Sequence, residues 1–244
     1  MPGRYISLVI STVLLFVNSC CKNDEKFDHP LDPGSTTYIP PTQGLIIDDY
    51  NDMERITAPI YQNPWGLEPF IFPETPPGDT AVVVSYTFEC NHSVALRWHG
   101  CSLRIKFDVR RPAPQDFGGW GQRLGDSLGY FDATVANLTY VSFWFKGAKG
   151  GEVFEIGLHD AANFESDKYN ITRDFQVTTE WQKAKIPLDS LINGSNPQGV
   201  RGKVNLKALE NVNIGFNRTL RNLQTRETSP QTGTIYIDDL AFER

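Results

Sequence analysis

Positive charge is in short supply in this chain. Its 23 lysines and arginines stand against 29 aspartates and glutamates, a formal net charge of −6. A dedicated nucleic-acid binder needs a basic stripe to displace counterions from phosphates, so that class is excluded. Cysteine is scarce too: there are four and no CxxC spacing, which disfavours a thiolate metal site. No GxSxG, HExxH, P-loop or GxGxxG occurs, leaving serine-hydrolase, zincin and nucleotide-binding readings without sequence support. The longest apolar stretch, Tyr5 to Val17, falls short of the ~20 residues a helix needs to span a bilayer. What is abundant is apolar surface. Hydrophobic residues make up 40% and aromatics 12% of the 244, too much to leave unfolded. The length suits one sandwich or barrel domain, or two small domains at most.

Arg4, the short apolar stretch and small residues after it have the layout of a secretory signal. The segment ends in Val17-Asn18-Ser19-Cys20, which resembles a bacterial lipobox. That resemblance implies cleavage after residue 19 and acylation of Cys20, giving a membrane anchor of several acyl chains. The alternative is ordinary secretion with cleavage nearby. Lys22-Asn23-Asp24-Glu25-Lys26 resembles the acidic tether of surface lipoproteins of the Bacteroidota, implying an outer-membrane protein that faces the cell exterior. Residues 20–43 are polar and contain Pro30, Pro33, Pro40 and Pro41, so they are read as a flexible tether. With Cys20 and Cys21 at the anchor, Cys90 and Cys101 remain as one natural disulfide pair in an oxidising compartment. Closing so short a loop is worth roughly 2–3 kcal/mol.

From residue 44 to 244 the apolar residues recur every second position. Leu103, Ile105 and Phe107 alternate with Arg104 and Lys106; Val141, Phe143 and Phe145 with Ser142, Trp144 and Lys146. Ile156 and Leu158, and Val212, Ile214 and Phe216, repeat the pattern, with glycine-, asparagine- and proline-rich turns between the runs. Further strands are expected near residues 45–48, 81–88, 119–124, 169–175 and 181–186. No long amphipathic helix intervenes, so the expectation is an all-β jelly-roll sandwich of two antiparallel sheets in a single domain.

The landmarks also come in a recognisable order. Ile46-Ile47-Asp48-Asp49-Tyr50 opens the domain, followed by Gly118-Gly119-Trp120-Gly121 and Val141-Ser142-Phe143-Trp144-Phe145. Ile156-Gly157-Leu158-His159-Asp160, Thr179-Glu180-Trp181-Gln182 and a closing Ile235-Tyr236-Ile237-Asp238-Asp239-Leu240 complete the series. It resembles the galactose-binding-like jelly rolls, and within them the family 11 carbohydrate-binding modules, over nearly all of residues 44–244. The resemblance implies that the first and last strands lie side by side. It also implies that residues 119–124, 153–159, 169–175 and 212–217 share a sheet whose outer face is a shallow, sugar-binding trough. Strand parity then nominates Glu155 with His159, and Asn213 with Asn217, as ligand contacts. Trp120 with Gln122, and Tyr169 with Arg173, join them, although parity is ambiguous there and Trp120 fits the core equally well.

The resemblance further suggests a structural Ca2+ where the terminal strands meet, with Asp49, Asp52 and Asp238 as ligands. The alternative for these aspartates is turn chemistry. Three readings of function follow. The first is a non-catalytic, surface-tethered protein that binds an oligo- or polysaccharide. The second is an enzyme: a polysaccharide lyase using His159, Tyr169 and Arg173, or a glycosidase with a carboxyl pair such as Glu155 and Asp160. The third is a scaffold or accessory subunit of a surface protein complex.

Overall fold

A computed structural model describes residues 44–48, 50, 68–73, 83–91, 94, 96, 100–111, 116–124, 130–134 and 137–244. Cys20, the tether, Asp49 and Asp52 lie outside these residues. The alternation in the sequence is realised as strands: Val141, Phe143 and Phe145 are fully buried, whereas Tyr140, Trp144 and Lys146 are partly exposed.

The described strands are β1 (Gly44–Asp48), β2 (Pro69–Phe72), β3 (Val84–Glu89), β4 (Ser102–Asp108), β5 (Phe117–Arg123), β6 (Tyr140–Gly147) and β7 (Glu155–Asp160). They continue with β8 (Glu165–Ser166), β9 (Tyr169–Asn170), β10 (Gln182–Pro187), β11 (Asn193–Ser195), β12 (Arg201–Lys203), β13 (Leu209–Asn217) and β14 (Thr232–Glu243). One sheet has the order β10-β6-β14-β4-β3, with β1 added to β14. The other has the order β12-β11-β8-β7-β13-β5-β2, with β9 on β7. All pairings are antiparallel. The chain is therefore the all-β jelly-roll sandwich expected, and the first and last strands do pair, Leu45 opposite Phe242.

Between the sheets the inward side chains interlock as aromatic pairs. Phe107 stacks on Phe216 with ring centres 4.2 Å apart, and Phe145 meets Phe154 edge-on at 5.7 Å. The Cys90–Cys101 disulfide closes the β3–β4 hairpin one residue beyond the Glu89–Ser102 pair.

Two local expectations change. The segment near 169–175 holds only the two-residue β9, because the Asn170 side chain accepts from the Thr172 N–H at 2.9 Å and turns the chain into a 3-10 helix, Ile171–Arg173. Strand β2, over Pro69–Phe72, lies outside the strands that the sequence pattern marks.

Glu243, at the end of β14, ties three strands of the first sheet together. It accepts from Ser142 Oγ at 2.6 Å and from the Lys183 and Lys185 ammonium groups at 2.8 and 3.1 Å. Burial pushes its pKa up, but these hydrogen bonds and the lysine charge outweigh it and bring the pKa down to about 2. A depressed carboxylate stabilises the fold above its unfolded pKa and loses that stabilisation as pH falls through the folded value. Denaturant melts should therefore show stability constant above about pH 4.5 and falling by about 1–2 kcal/mol toward pH 2, after discounting for the exposed lysines. In Glu243→Gln this portion of the pH dependence should be missing.

Candidate functional site

Residues directly opposite each other in a ladder project to the same face, so register sorts the second sheet. Trp120, Ile214 and Ile156 form one inward rung, and Gln122, Val212 and Leu158 the next. The outward rungs alternate with these. The first runs Phe72, Gly119, Gly215, Glu155 and the second Phe70, Gly121, Asn213, Gly157. The third runs Arg123, Asn211, His159, Glu165. From β2 to β8 this face crosses four inter-strand gaps, roughly 19 Å at about 4.8 Å each.

The glycines decide its shape. A Cβ on Gly119 would lie 2.3 Å from the Phe72 ring, and one on Gly121 2.3 Å from the Phe70 ring. Both rings thus rest directly on the β5 backbone, which only glycine permits. They are partly exposed, 6.2 Å apart, with the Arg123 guanidinium 5.8 Å from the Phe70 ring centre. Beside them Gly215 is open: a Cβ there would meet nothing within 4 Å.

The opposite bank is polar. His159 Nδ1 lies 2.9 Å from Glu210 Oε2, a contact made possible by the register shift between Leu209 and Asn211. Lys168 pairs with Glu165 and lays its chain over Gly157, whose Cβ would stand 3.2 Å from the ammonium nitrogen. Burial raises the Glu155 pKa; the Lys168 charge opposes the rise and the Glu165 charge adds to it. Asn211 and Asn213 are buried on the outward rungs, and the Oδ1 of each has no hydrogen-bond partner. An unsatisfied buried acceptor costs about 1–3 kcal/mol, and the Asn213 Oδ1 is packed over Gly121 beside the Phe70 ring, closed to solvent. The trough therefore offers a ring-lined wall, a bare backbone floor and a bank of carboxylate groups.

Four of the eight nominated ligand contacts lie on this outer face: Glu155, His159, Asn213 and Asn217. Asn217 is at its end, with Oδ1 accepting from the backbone N–H and hydroxyl of Thr219. The placement of the other four is corrected. Trp120 and Gln122 are fully buried on inward rungs, and Tyr169 sits in the core opposite Ile156. Arg173 belongs to the 3-10 helix, where its guanidinium lies 5.6 Å from the Tyr169 ring centre. Phe70 and Phe72, and on the polar bank Arg123, Asn211, Glu165, Lys168 and Glu210, are trough residues that sequence reasoning misses.

Asp238 is buried at the β14 bulge. Its Oδ2 accepts from Ser102 Oγ at 2.7 Å and its Oδ1 from the Asp239 N–H at 2.8 Å. Among the described residues no three acidic, histidine or cysteine side chains cluster as a metal site.

The family described as Carbohydrate binding domain 30 matches residues 83–244. A crystal structure of a family 30 carbohydrate-binding module aligns at 17% identity and a TM-score of 0.46, covering 65% of this chain and 73% of that one. A family 11 module of a cellulosomal cellulase of Clostridium thermocellum aligns at 13% identity and 0.48, covering 82% and 94%. A family 11 module from the same organism, in complex with a β-1,3-1,4-mixed-linked tetrasaccharide, aligns at 12% identity and 0.48, covering 82% and 95%. No curated protein sequence matches the chain.

Proposed function

The chain belongs to the Carbohydrate binding domain 30 family, and from that premise we propose that it is a non-catalytic glycan-binding lipoprotein. Cys20 carries its lipid anchor, residues 20–43 hold the domain away from the outer membrane, and the trough faces the cell exterior. A sugar chain lies across the second sheet. Its apolar ring faces rest against Phe72 and the open floor at Gly215, and its hydroxyls donate to Glu155. The observation that carries this reading is the bare floor at Gly215 between a partly exposed aromatic ring and the Glu155 carboxylate opposite it. Calcium at the meeting of the terminal strands remains part of the proposal; it would draw on Asp49, Asp52 and a rotated Asp238.

The enzymatic alternatives lose their geometry. A lyase built on His159, Tyr169 and Arg173 needs the three on one face, but Tyr169 is in the core. A glycosidase pair of Glu155 and Asp160 fails similarly. Asp160 is buried, with its oxygens taken by the N–H groups of Ala162, Phe164 and Asn205.

Affinity electrophoresis in gels cast with a panel of soluble polysaccharides tests the reading. The protein should be retarded by at least one of them without releasing reducing or unsaturated ends. Phe72→Ala should weaken that binding about fivefold, the worth of one aromatic contact near 1 kcal/mol. Released ends would identify an enzyme, and free migration in every gel would favour the scaffold.

The raised pKa of Glu155 gives a second check. Its ionised carboxylate is a stronger acceptor of hydroxyls than the neutral acid, so affinity should fall as pH drops through that raised value, above the ordinary glutamate range. Glu155→Gln should flatten this dependence in isothermal titration, holding affinity at every pH near the weaker value the parent has on the acid side.

A further inference from the structure

The outward face of the second sheet is open on one rung and closed on the next. On the rung of Phe72, Gly119, Gly215 and Glu155 the floor is bare at Gly215. The neighbouring rung, Phe70, Gly121, Asn213 and Gly157, is covered across its width. The Phe70 ring and the Asn213 side chain lie over Gly121, 2.3 and 2.6 Å from where its Cβ would stand. Gly157 likewise has no side chain of its own, but the Lys168 chain occupies the space above it. A Cβ on Gly157 would lie 3.0 Å from Lys168 Cδ and 3.2 Å from its ammonium nitrogen. Phe70, Asn213 and Lys168 thus form a rib across the trough, beside the open slot at Gly215.

Lys168 lies in the short link between β8 and β9, both of which pair with the outer edge of β7. The link is fixed in place: Ser166 Oγ accepts from the Leu158 N–H at 2.8 Å, and the Asp167 N–H donates to the Asn193 carbonyl. From there the lysine reaches back over β7. Glu165, on the outward rung beyond, pairs with its ammonium, and its charge also acts on Glu155, on the rung of the slot. The Lys168 side chain is only 26% exposed, whereas Glu165 is 46% exposed, so the pair adds little to the stability of the fold. Gly157 and Gly215 are diagonal neighbours across the β7–β13 pair, about 7–8 Å apart and within reach of adjoining rings of one sugar chain. We propose that Lys168 sets the length of glycan that the trough accepts, by closing a second bare floor at Gly157 that would hold one further sugar ring. This rests on the sugar-binding reading of the trough. A chain lying in the slot makes its last contacts at Glu155, because the lysine methylenes fill the space into which its next ring would pass.

Isothermal titration of the full chain with oligosaccharide ladders, from disaccharide to octasaccharide, tests this. The ladders are cut by mild acid from three neutral polysaccharides: a β-1,3-1,4-mixed-linked glucan, a galactan and a mannan. With at least one ladder, affinity should rise with length and then level off. In Lys168→Ala the levelling should come one residue later, at about fivefold higher affinity, the yield of burying one more apolar sugar face. Lys168→Met removes the charge but keeps a chain of similar length over Gly157, so it should level off where the parent does. Equal levelling lengths in the parent and Lys168→Ala, or the same shift in Lys168→Met as in Lys168→Ala, would overturn the proposal. Failure of the parent to bind any ladder would overturn the sugar-binding reading itself, and this inference with it.

Discussion

Gly215→Val should weaken glycan binding roughly 100-fold and leave the protein folded. The position is in the middle of β13, its φ is ordinary for a strand, and a Cβ there meets nothing within 4 Å. A β-branched side chain suits a strand better than glycine, so stability should hold or rise by about 0.5–1 kcal/mol. The added isopropyl group, however, occupies the floor on which a sugar ring would rest. Affinity should drop roughly 100-fold, near 2.7 kcal/mol, the loss expected when a ligand can no longer reach its contact surface. Few positions separate the two effects so cleanly. At Gly119, across the ladder, a Cβ would lie 2.3 Å from the Ile214 carbonyl oxygen and from the Phe72 ring, so any substitution there would confuse folding with binding. Affinity electrophoresis beside a urea melt of Gly215→Val reads both quantities on one sample.

Trp120→Ala should have the opposite profile. The indole is fully buried among Ile214, Ile156 and their neighbours, so truncation removes a large core side chain and should cost about 3–5 kcal/mol. Binding would then be lost only to the extent that the domain unfolds. Trp120→Phe separates the two roles. It retains most of the ring and deletes a buried Nε1–H that has no acceptor, so the lost packing is partly offset. Its binding to the retaining polysaccharide should stay within about twofold of the parent, because an inward ring makes no ligand contact. A large loss of affinity in a well-folded Trp120→Phe would place the indole in the site after all.

The contrast between these residues shows what the sequence could reveal about the trough. Where apolar and polar side chains alternate, as in Val141–Phe145 or Ile156–His159, parity is written in the residues. That rule assigns Glu155, His159, Asn213 and Asn217 to the outer face. Around Trp120 the rule has nothing to act on. Gly118, Gly119 and Gly121 carry no side chain to contrast with the indole, and only pairing with Ile214 turns it inward. Pro69-Phe70-Ile71-Phe72 fails for the reverse reason: every position is apolar, so the run does not announce which face is solvent. Its rings face outward because β2 pairs with β5, about 50 residues away in the chain, and because two glycines there leave room for them. The Glu210–His159 contact likewise depends on a register shift no local pattern encodes. Tyr169 and Arg173 were misplaced because a local side-chain bond from Asn170 ended the strand after two residues.

Where the sugar sits is best settled by an amide NMR titration with the polysaccharide fragment that retards the protein most strongly. The account predicts that the perturbed backbone signals are those of Phe72, Gly119, Asn213, Gly215 and Glu155, while the Tyr140, Trp144 and Lys183 signals on the opposite sheet stay still. Perturbations concentrated on that opposite sheet, with the Gly215 signal unmoved at saturation, would contradict it.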